Sequence, residues 1–256
     1  MPVEPFSEPK ASSIAPVSTH VSPRVLLVED APEVALLMSG SLQSEGFAVT
    51  VAANGEEALA LLPDVDPIVV VLDLGLPGID GFETCRRIRQ LSDVHIIMLT
   101  ARTSEADKLV GFTIGADDYV TKPASMREVG ARIRAVVRRR ADEIKAVSHP
   151  PLAAQSGGTP PNFSVEASTR TVWVFGKEVT LTRTEFALFQ ELAGRANEVV
   201  SRLELQTTVW GPDWHGGAHL VDVHLSNVRR KFADAGAPAL IHTVRESGYR
   251  LAVPTN

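Results

Sequence analysis

From Arg24 onward, short apolar runs rich in Val, Ile and Leu alternate with longer helix-like segments, and this rhythm restricts the fold more than any other feature. The runs occupy 25–28, 48–52, 68–72, 96–99 and 119–120. Strands separated by helix-length segments do not close as hairpins; they pair side by side through βαβ crossovers. The expected architecture is α/β, a doubly wound five-stranded parallel sheet with about five helices. Two helix starts carry their own marks, Asn54 with Glu57 and Ser125 with Glu128. In each, a capping side chain and an acid three residues later can satisfy free N–H groups.

The chain has 256 residues, 44% of them hydrophobic, enough for two cores. Residues 1–23 hold scattered Pro and Ser without a continuous apolar stretch, so they read as a disordered extension and not as a signal peptide or membrane anchor. The first domain spans 24–140. A linker follows over 141–161, ending in HPPLAAQSGGTPP, which has too few apolar residues to pack. The second domain, 162–256, opens with strand-like 171–175 and 178–181. Helices then start at Thr182 (TRTE) and Ser201 (SRLE), both capping boxes. A third helix, 218–232, places Val221, Leu225, Val228 and Phe232 on one face, and HTVRESGYRLAV alternates like a hairpin. Three helices and a terminal hairpin make a smaller α+β winged helix-turn-helix domain.

The single cysteine, Cys85, cannot form an internal disulfide and reads as a packing residue. A cytoplasmic protein without membrane contact is expected. Net charge is −6 overall. Residues 24–140 carry 13 Lys and Arg against 17 Asp and Glu, and residues 161–256 carry 10 against 10. Any nucleic-acid contact must therefore rest on a local basic patch.

In the first domain the polar residues fall where the apolar runs end: Glu29 and Asp30 after the first, Asp73 after the third, Thr100 after the fourth, Lys122 after the fifth. Open α/β sheets bind ligands beyond the carboxyl ends of their strands, so these side chains should share one crevice. Three close carboxylates repel one another and call for a cation. Mg²⁺ takes oxygen ligands and keeps several waters, so Asp30, Asp73 and the Gly75 carbonyl would suffice, with Glu29 acting through water. Asp73 can then serve as a nucleophile toward phosphorus, with Lys122 and Thr100 meeting the charge on the phosphoryl oxygens. Dehalogenase-type phosphatases share this plan but need a second Asp two residues on; Gly75 stands there, which favours a phosphorylated switch over a turnover enzyme. Slow self-dephosphorylation is the most catalysis expected.

The segments VED at 28–30, DLGLPGIDG at 73–81, LTA at 99–101 and GADDYVTKP at 115–123 closely resemble the response-regulator receiver family, whose fold is flavodoxin-like. The resemblance implies phosphotransfer from a sensor histidine kinase to Asp73 and a cis Pro123. It also implies a switch in which Thr100 swings toward the phosphoryl group and Tyr119 turns inward, remodelling the surface of the fourth helix, fifth strand and fifth helix. A half-buried strand aromatic is the other reading of Tyr119. Ala124 departs from the Phe usual after Lys-Pro.

On the third helix of the second domain, the face opposite the core presents His219, Val223, Ser226, Asn227 and Arg230. Arg can pair with guanine, Asn with adenine, and Val can touch a thymine methyl, which suits the major groove of double-stranded DNA. Arg229 and Lys231 fit phosphate contacts. A merely solvated face is the alternative. LTRTEFALFQEL at 181–192, VVSRLELQTTVWG at 199–211, VDVHLSNVRRKF at 221–232 and TVRESGYRL at 243–251 resemble the OmpR/PhoB winged-helix domain. That resemblance implies a wing bringing Arg245 to the minor groove and a loop over 210–217 able to touch RNA polymerase, with Trp210 in the core. His219, Leu220 and Glu246-Ser247 depart from common choices. It further implies a homodimer on phosphorylation through Lys108, Asp117, Asp118, Glu128 and Arg132, with Lys108 meeting Glu128 and Asp118 meeting Arg132 across a two-fold axis. The alternative is an i, i+4 pair of Glu128 with Arg132 inside one chain. A rival reading keeps the fold but gives the second domain a protein partner, for which its zero net charge leaves room.

Overall fold

The computed structural model describes residues 22–100, 111, 113–146, 163–166, 169–212, 214, 219–237 and 239–253. The first domain is a parallel sheet in the order β2-β1-β3-β4-β5, built from β1 (Arg24–Val28), β2 (Ala48–Ala52), β3 (Val69–Asp73), β4 (His95–Thr100) and β5 (Asp118–Thr121). All four pairings are parallel. Around it lie α1 (Pro32–Ser44), α2 (Gly55–Val65), α3 (Gly81–Leu91) and α4 (Met126–Ala146). Because side chains alternate along a strand, each central strand feeds two cores. Leu26, Val28, Val70, Leu72, Ile96 and Met98 face Ala58, Leu62, Cys85 and Ile88, whereas Val25, Leu27, Val69, Val71, Ile97 and Leu99 face Met38, Leu42, Val129 and Ile133. Burial on both faces is why β1 and β3 read as unbroken apolar runs.

Local chemistry sets the helix starts. The Asn54 side chain accepts from the Glu57 N–H, and Glu57 reaches back to the Ala53 N–H. Asp80 caps α3, its side chain accepting from the Glu83 N–H. At Ser125 the structure departs from the expected box: its carbonyl accepts from the Glu128 N–H, while the Glu128 carboxylate turns to Arg132. The loop after β3 doubles back so tightly that a Cβ on Gly81 would stand 2.7 Å from the Leu74 Cα, so only glycine fits there. The region expected to hold the fourth helix, with Lys108, lies outside the described residues, as do 1–21 of the N-terminal extension. Helix α4 runs on to Ala146, six residues into the expected linker, because ADEIKA at 141–146 consists of residues compatible with a continuing helix.

The second domain carries β6 (Phe163–Glu166), β7 (Thr171–Val174) and β8 (Lys177–Thr180) as an antiparallel sheet, then α5 (Arg183–Gly194), β9 (Val200–Ser201), α6 (Arg202–Trp210), α7 (His219–Asp234), and the hairpin β10 (Ile241–Val244) and β11 (Gly248–Leu251). Helices α5 and α6 begin with the expected capping boxes at Thr182 and Ser201. Strands β6 and β9 were not foreseen; β9 has two residues and pairs with β11. Phe189, at the centre, meets Phe163 and Phe232 edge-on with ring centroids 5.4 and 5.3 Å apart. One contiguous apolar cluster runs from the first domain's α2–α3 face into this core. No helix among the described residues is long and apolar enough to cross a membrane.

Candidate functional site

The carboxyl ends of β1, β3 and β5 bring Glu29, Asp30, Asp73 and Lys122 together. Oxygen atoms of the three acids all lie within 4.8 Å of one another. Lys122 Nζ stands 2.8 Å from Glu29 Oε2 and 3.0 Å from Asp73 Oδ2, so one cation bridges two of the three carboxylates. Partial burial lowers the Lys122 pKa, but the hydrogen bonds it donates to Glu29 and Asp73 outweigh it, and the net direction is up. Glu29 and Asp73 are buried and Asp30 is exposed, so the cluster opens to solvent on one side. Three negative charges against one positive leave a deficit, and the donor set is all oxygen; both suit a hard divalent cation. Thr100 is fully buried at the end of β4, and its carbonyl accepts from the Lys122 N–H at 2.6 Å. Gly75 borders Asp73 closely enough that a Cβ would lie 3.5 Å from Asp73 Oδ2. The Lys122–Pro123 peptide is cis.

Tyr119 is already packed inward at 8% exposure. Its ring covers Gly111, where a Cβ would come within 2.6 Å of the hydroxyl, and it shares a core with Met98. Its ring lies in the α2–α3 core.

A second charged cluster sits at the start of β5. Asp117 and Asp118 are fully buried there, held by Arg89 and Arg132 respectively. Arg132 Nη1 reaches both Asp118 oxygens at 2.7 and 2.6 Å, and its Nη2 reaches Glu128 at 2.5 Å. The pairing expected across a two-fold axis is thus made inside one chain, since α4 lies directly over β5. Burial would raise Asp117, but Arg89, His95 and the Ile96 N–H hold it down at about 2. His95, completely buried beside it, is pushed down to about 3 by burial. Burial lowers Arg132 too, but Asp118 and Glu128 outweigh it, so its pKa is raised.

On α7 the expected core residues Val221, Leu225, Val228 and Phe232 are buried, and His219, Ser226 and Arg230 are exposed with Val223 half-buried. Asn227 is a correction: it is 5% exposed, because Leu220, His224 and Asn227 form a covered stripe at i, i+4 and i+7 beside the core. Arg229 and Lys231, expected at phosphates, are also engaged within the domain. Arg229 donates to the Ile241 carbonyl and to Thr243 Oγ1, each at 2.9 Å, and stacks over Tyr249. Lys231 pairs with buried Glu185 at 2.6 Å. Arg245 is exposed in the wing turn. Trp210 is buried, as expected.

What the sequence did not reveal is how the two domains touch. The Trp214 indole N–H donates to Asp118 Oδ2 at 3.2 Å, and its ring lies 5.2 Å from the Arg132 guanidinium. His224 Nε2 lies 3.2 Å from the Asp117 carbonyl oxygen; a carbonyl only accepts, so Nε2 carries the proton. Arg183 donates to the Asp93 carbonyl at 3.2 Å, and Arg170 pairs with the Asp93 carboxylate. The only sequence hint was a Trp, large and apolar, in a loop.

An open parallel sheet with an acidic, lysine-bridged crevice, tied to a winged helix, defines a signal-receiving domain coupled to a nucleic-acid-binding one. The family models agree: "Response regulator receiver domain" matches residues 25–134, and "Transcriptional regulatory protein, C terminal" matches 176–251. Similar proteins include the transcriptional regulatory protein AfsQ1 of Streptomyces coelicolor, 42% identical over 91% of this chain and 99% of that protein. The sensory transduction protein RegX3 of Mycobacterium tuberculosis is 43% identical over 89% of this chain and 98% of its own length. Among solved structures, a cysteine-substituted mutant of RitR superposes with a TM-score of 0.74 at 25% identity, covering 90% of this chain and 99% of that one. The chain belongs to the response regulators that join a receiver to an OmpR/PhoB-type DNA-binding domain. It is a two-component response regulator controlling transcription, with a histidine kinase and DNA as the partners its domains imply.

Proposed function

We propose that Asp73 is the phosphoacceptor and that its phosphorylation controls dimerisation and DNA binding. The observation that carries this reading is Lys122, whose ammonium lies between Glu29 and Asp73 at 2.8 and 3.0 Å. An Asp73 carboxylate oxygen attacks the phosphorus of a phosphohistidine, a P–O bond forms, the P–N bond breaks, and the imidazole leaves with a proton from solvent. Lys122 and the Thr100 hydroxyl meet the charge on the transferred oxygens. Glu29, Asp30, Asp73 and the Gly75 carbonyl would hold Mg²⁺, which neutralises the phosphoryl group when bound. The receiver does no turnover chemistry beyond accepting the group and slowly losing it.

The stripe of exposed His219, Ser226 and Arg230 with half-buried Val223 reads bases, and Arg245 serves the wing. Phosphorylated receivers pair through the surface around Asp117, Asp118, Glu128 and Arg132, bringing two winged helices onto adjacent half-sites. The loop around Trp214 is then free to meet RNA polymerase. A DNA target implies the cytoplasm, and the proposed domain limits are 24–146, moved from 140 to the end of α4, and 162–256.

Labelling with a small radioactive phosphodonor and Mg²⁺ tests the pocket. Asp73→Asn and chelation of Mg²⁺ should each abolish the label. Wild-type labelling of Asp73→Asn would sink the assignment.

A further inference from the structure

We propose that the amino edge of the receiver sheet carries a second charged site, separate from the Asp73 pocket, that takes a small tetrahedral oxyanion such as phosphate or sulfate. A narrow cleft opens there, lined by Ile68 beside β3, His95 at the start of β4, Val136, Arg139 and Arg140 of α4, and Arg183, the first residue of α5. Strand β4 runs from His95 to Thr100, so about 16 Å of strand separates the cleft from the acidic pocket. Arg139 and Arg140 belong to the receiver and Arg183 to the winged helix, so an anion here is held from both domains.

Three observations carry the site. His95 is 1% exposed, and its Nδ1 has no hydrogen-bond partner among the described residues; Asp117 Oδ2 stands 3.8 Å away, beyond hydrogen-bond reach. Buried polar atoms are ordinarily paired, and a protonated imidazole nitrogen is a donor suited to an anion. The second observation is a crowding of positive charge. Burial lowers the His95 pKa most, and Arg139, Arg89 and Arg183 lower it further, against the pull of Asp117. Arg170 is lowered by burial and by Arg183, with which it shares the Asp93 carboxylate. Cations that suppress one another's protonation gain from an anion placed among them.

The third is the shape of the donors. Guanidinium groups present planar forks that match oxyanions, which the compact ammonium of lysine does not. Here they come from two helices, so they suit an acceptor with oxygens in several directions, as phosphate and sulfate have and a planar carboxylate lacks. The floor of the cleft admits about one water-sized group. One oxygen therefore enters toward His95 while the others stay at the mouth, where Arg139 and Arg140 are half-buried. Ile68 and Val136 give the cleft apolar walls, which strengthens each charge-assisted hydrogen bond. The concentration of a small oxyanion thereby sets how firmly the two domains hold at this edge.

The test uses the full chain with Mg²⁺ chelated, sulfate replacing chloride at constant ionic strength, and nitrogen–proton correlation spectra of the imidazole rings. The His95 signals, assigned through His95→Asn, should shift and saturate at millimolar sulfate. Those of His242, exposed on the terminal hairpin, should not follow the same curve. Arg140→Gln and Arg183→Gln should each weaken binding at least about tenfold. Arg140→Lys, which keeps the charge and loses the fork, should fall between wild type and Arg140→Gln and guards against misfolding of the glutamine variant. A drift of His95 that never saturates, or one shared with His242, would overturn the site. Saturation unchanged in both glutamine variants would mark an adventitious ion only, and weakening by Arg140→Gln alone would overturn the sharing between domains.

Discussion

Strand ends of one sheet carry two clusters of carboxylates, and they are opposite in design. Beyond the carboxyl ends, Glu29 and Asp73 share the ammonium of Lys122, with Asp30 beside them opening the cluster to solvent. At the amino end of β5, Asp117 meets Arg89 and Asp118 meets Arg132, whose other nitrogen reaches the exposed Glu128, and both acids are sealed under Trp214 and His224. The first cluster keeps an excess of negative charge that only a further cation can relieve, which suits metal-assisted phosphoryl transfer. In the second each buried acid meets a guanidinium, and such an arrangement holds surfaces together and resists losing one member. Similar side chains thus become a reactive pocket or a structural clasp according to charge balance and access to water.

The largest effect should separate the clusters directly. Arg132→Met leaves Asp118 buried without its main counterion and should cost about 3–5 kcal/mol in urea unfolding. Asp73→Asn removes one of three crowded charges and should leave stability within about 1 kcal/mol of wild type, or raise it. Equal losses would erase the distinction. Acid should act next. His95 is depressed to about 3 by burial, so it is neutral when folded and takes up a proton near 6.5 when unfolded; burial lowers His224 as well. The stability His95 contributes is therefore fully present above pH 6.5 and falls below it by up to about 1.4 kcal/mol per pH unit, with His224 acting in the same direction. Asp117, held at about 2, stays charged in the folded chain through most of that window. Thermal melts from pH 7.5 to 4.5 check this, and His95→Asn should flatten the slope by about one proton. The smallest effects concern the two stripes of α7. Arg230→Ala should relax sequence preference by about 1–3 kcal/mol at one base pair. Arg229→Ala should weaken all sequences alike by about 1 kcal/mol, since its guanidinium braces the wing. Binding to duplexes with single base-pair changes separates the two, and matching losses would show that exposure does not sort readers from braces.

The βα rhythm and the polar residues closing each apolar run were legible because both are local: alternation along a strand and the step of a helix depend only on covalent geometry. The pocket followed, since parallel strands must bring their carboxyl ends to one edge, and Glu29, Asp73 and Lys122 meet there. The capping boxes at Thr182 and Ser201 span three residues and needed nothing else. Strands β6 and β9 escaped because they are short and are strands only through their partners. Asn227 was misplaced for a related reason: helical periodicity gives the angle of each residue, but which flank is covered depends on what packs against it. The contacts from Trp214 to Asp118 and from His224 to Asp117 join residues about a hundred positions apart. By itself the sequence determined the elements, their order, the reactive edge of the sheet and the family. Only the tertiary structure decided that the dimer-type charges pair within one chain and are sealed by an indole, because no local pattern records which distant surface will exclude water from a given charge.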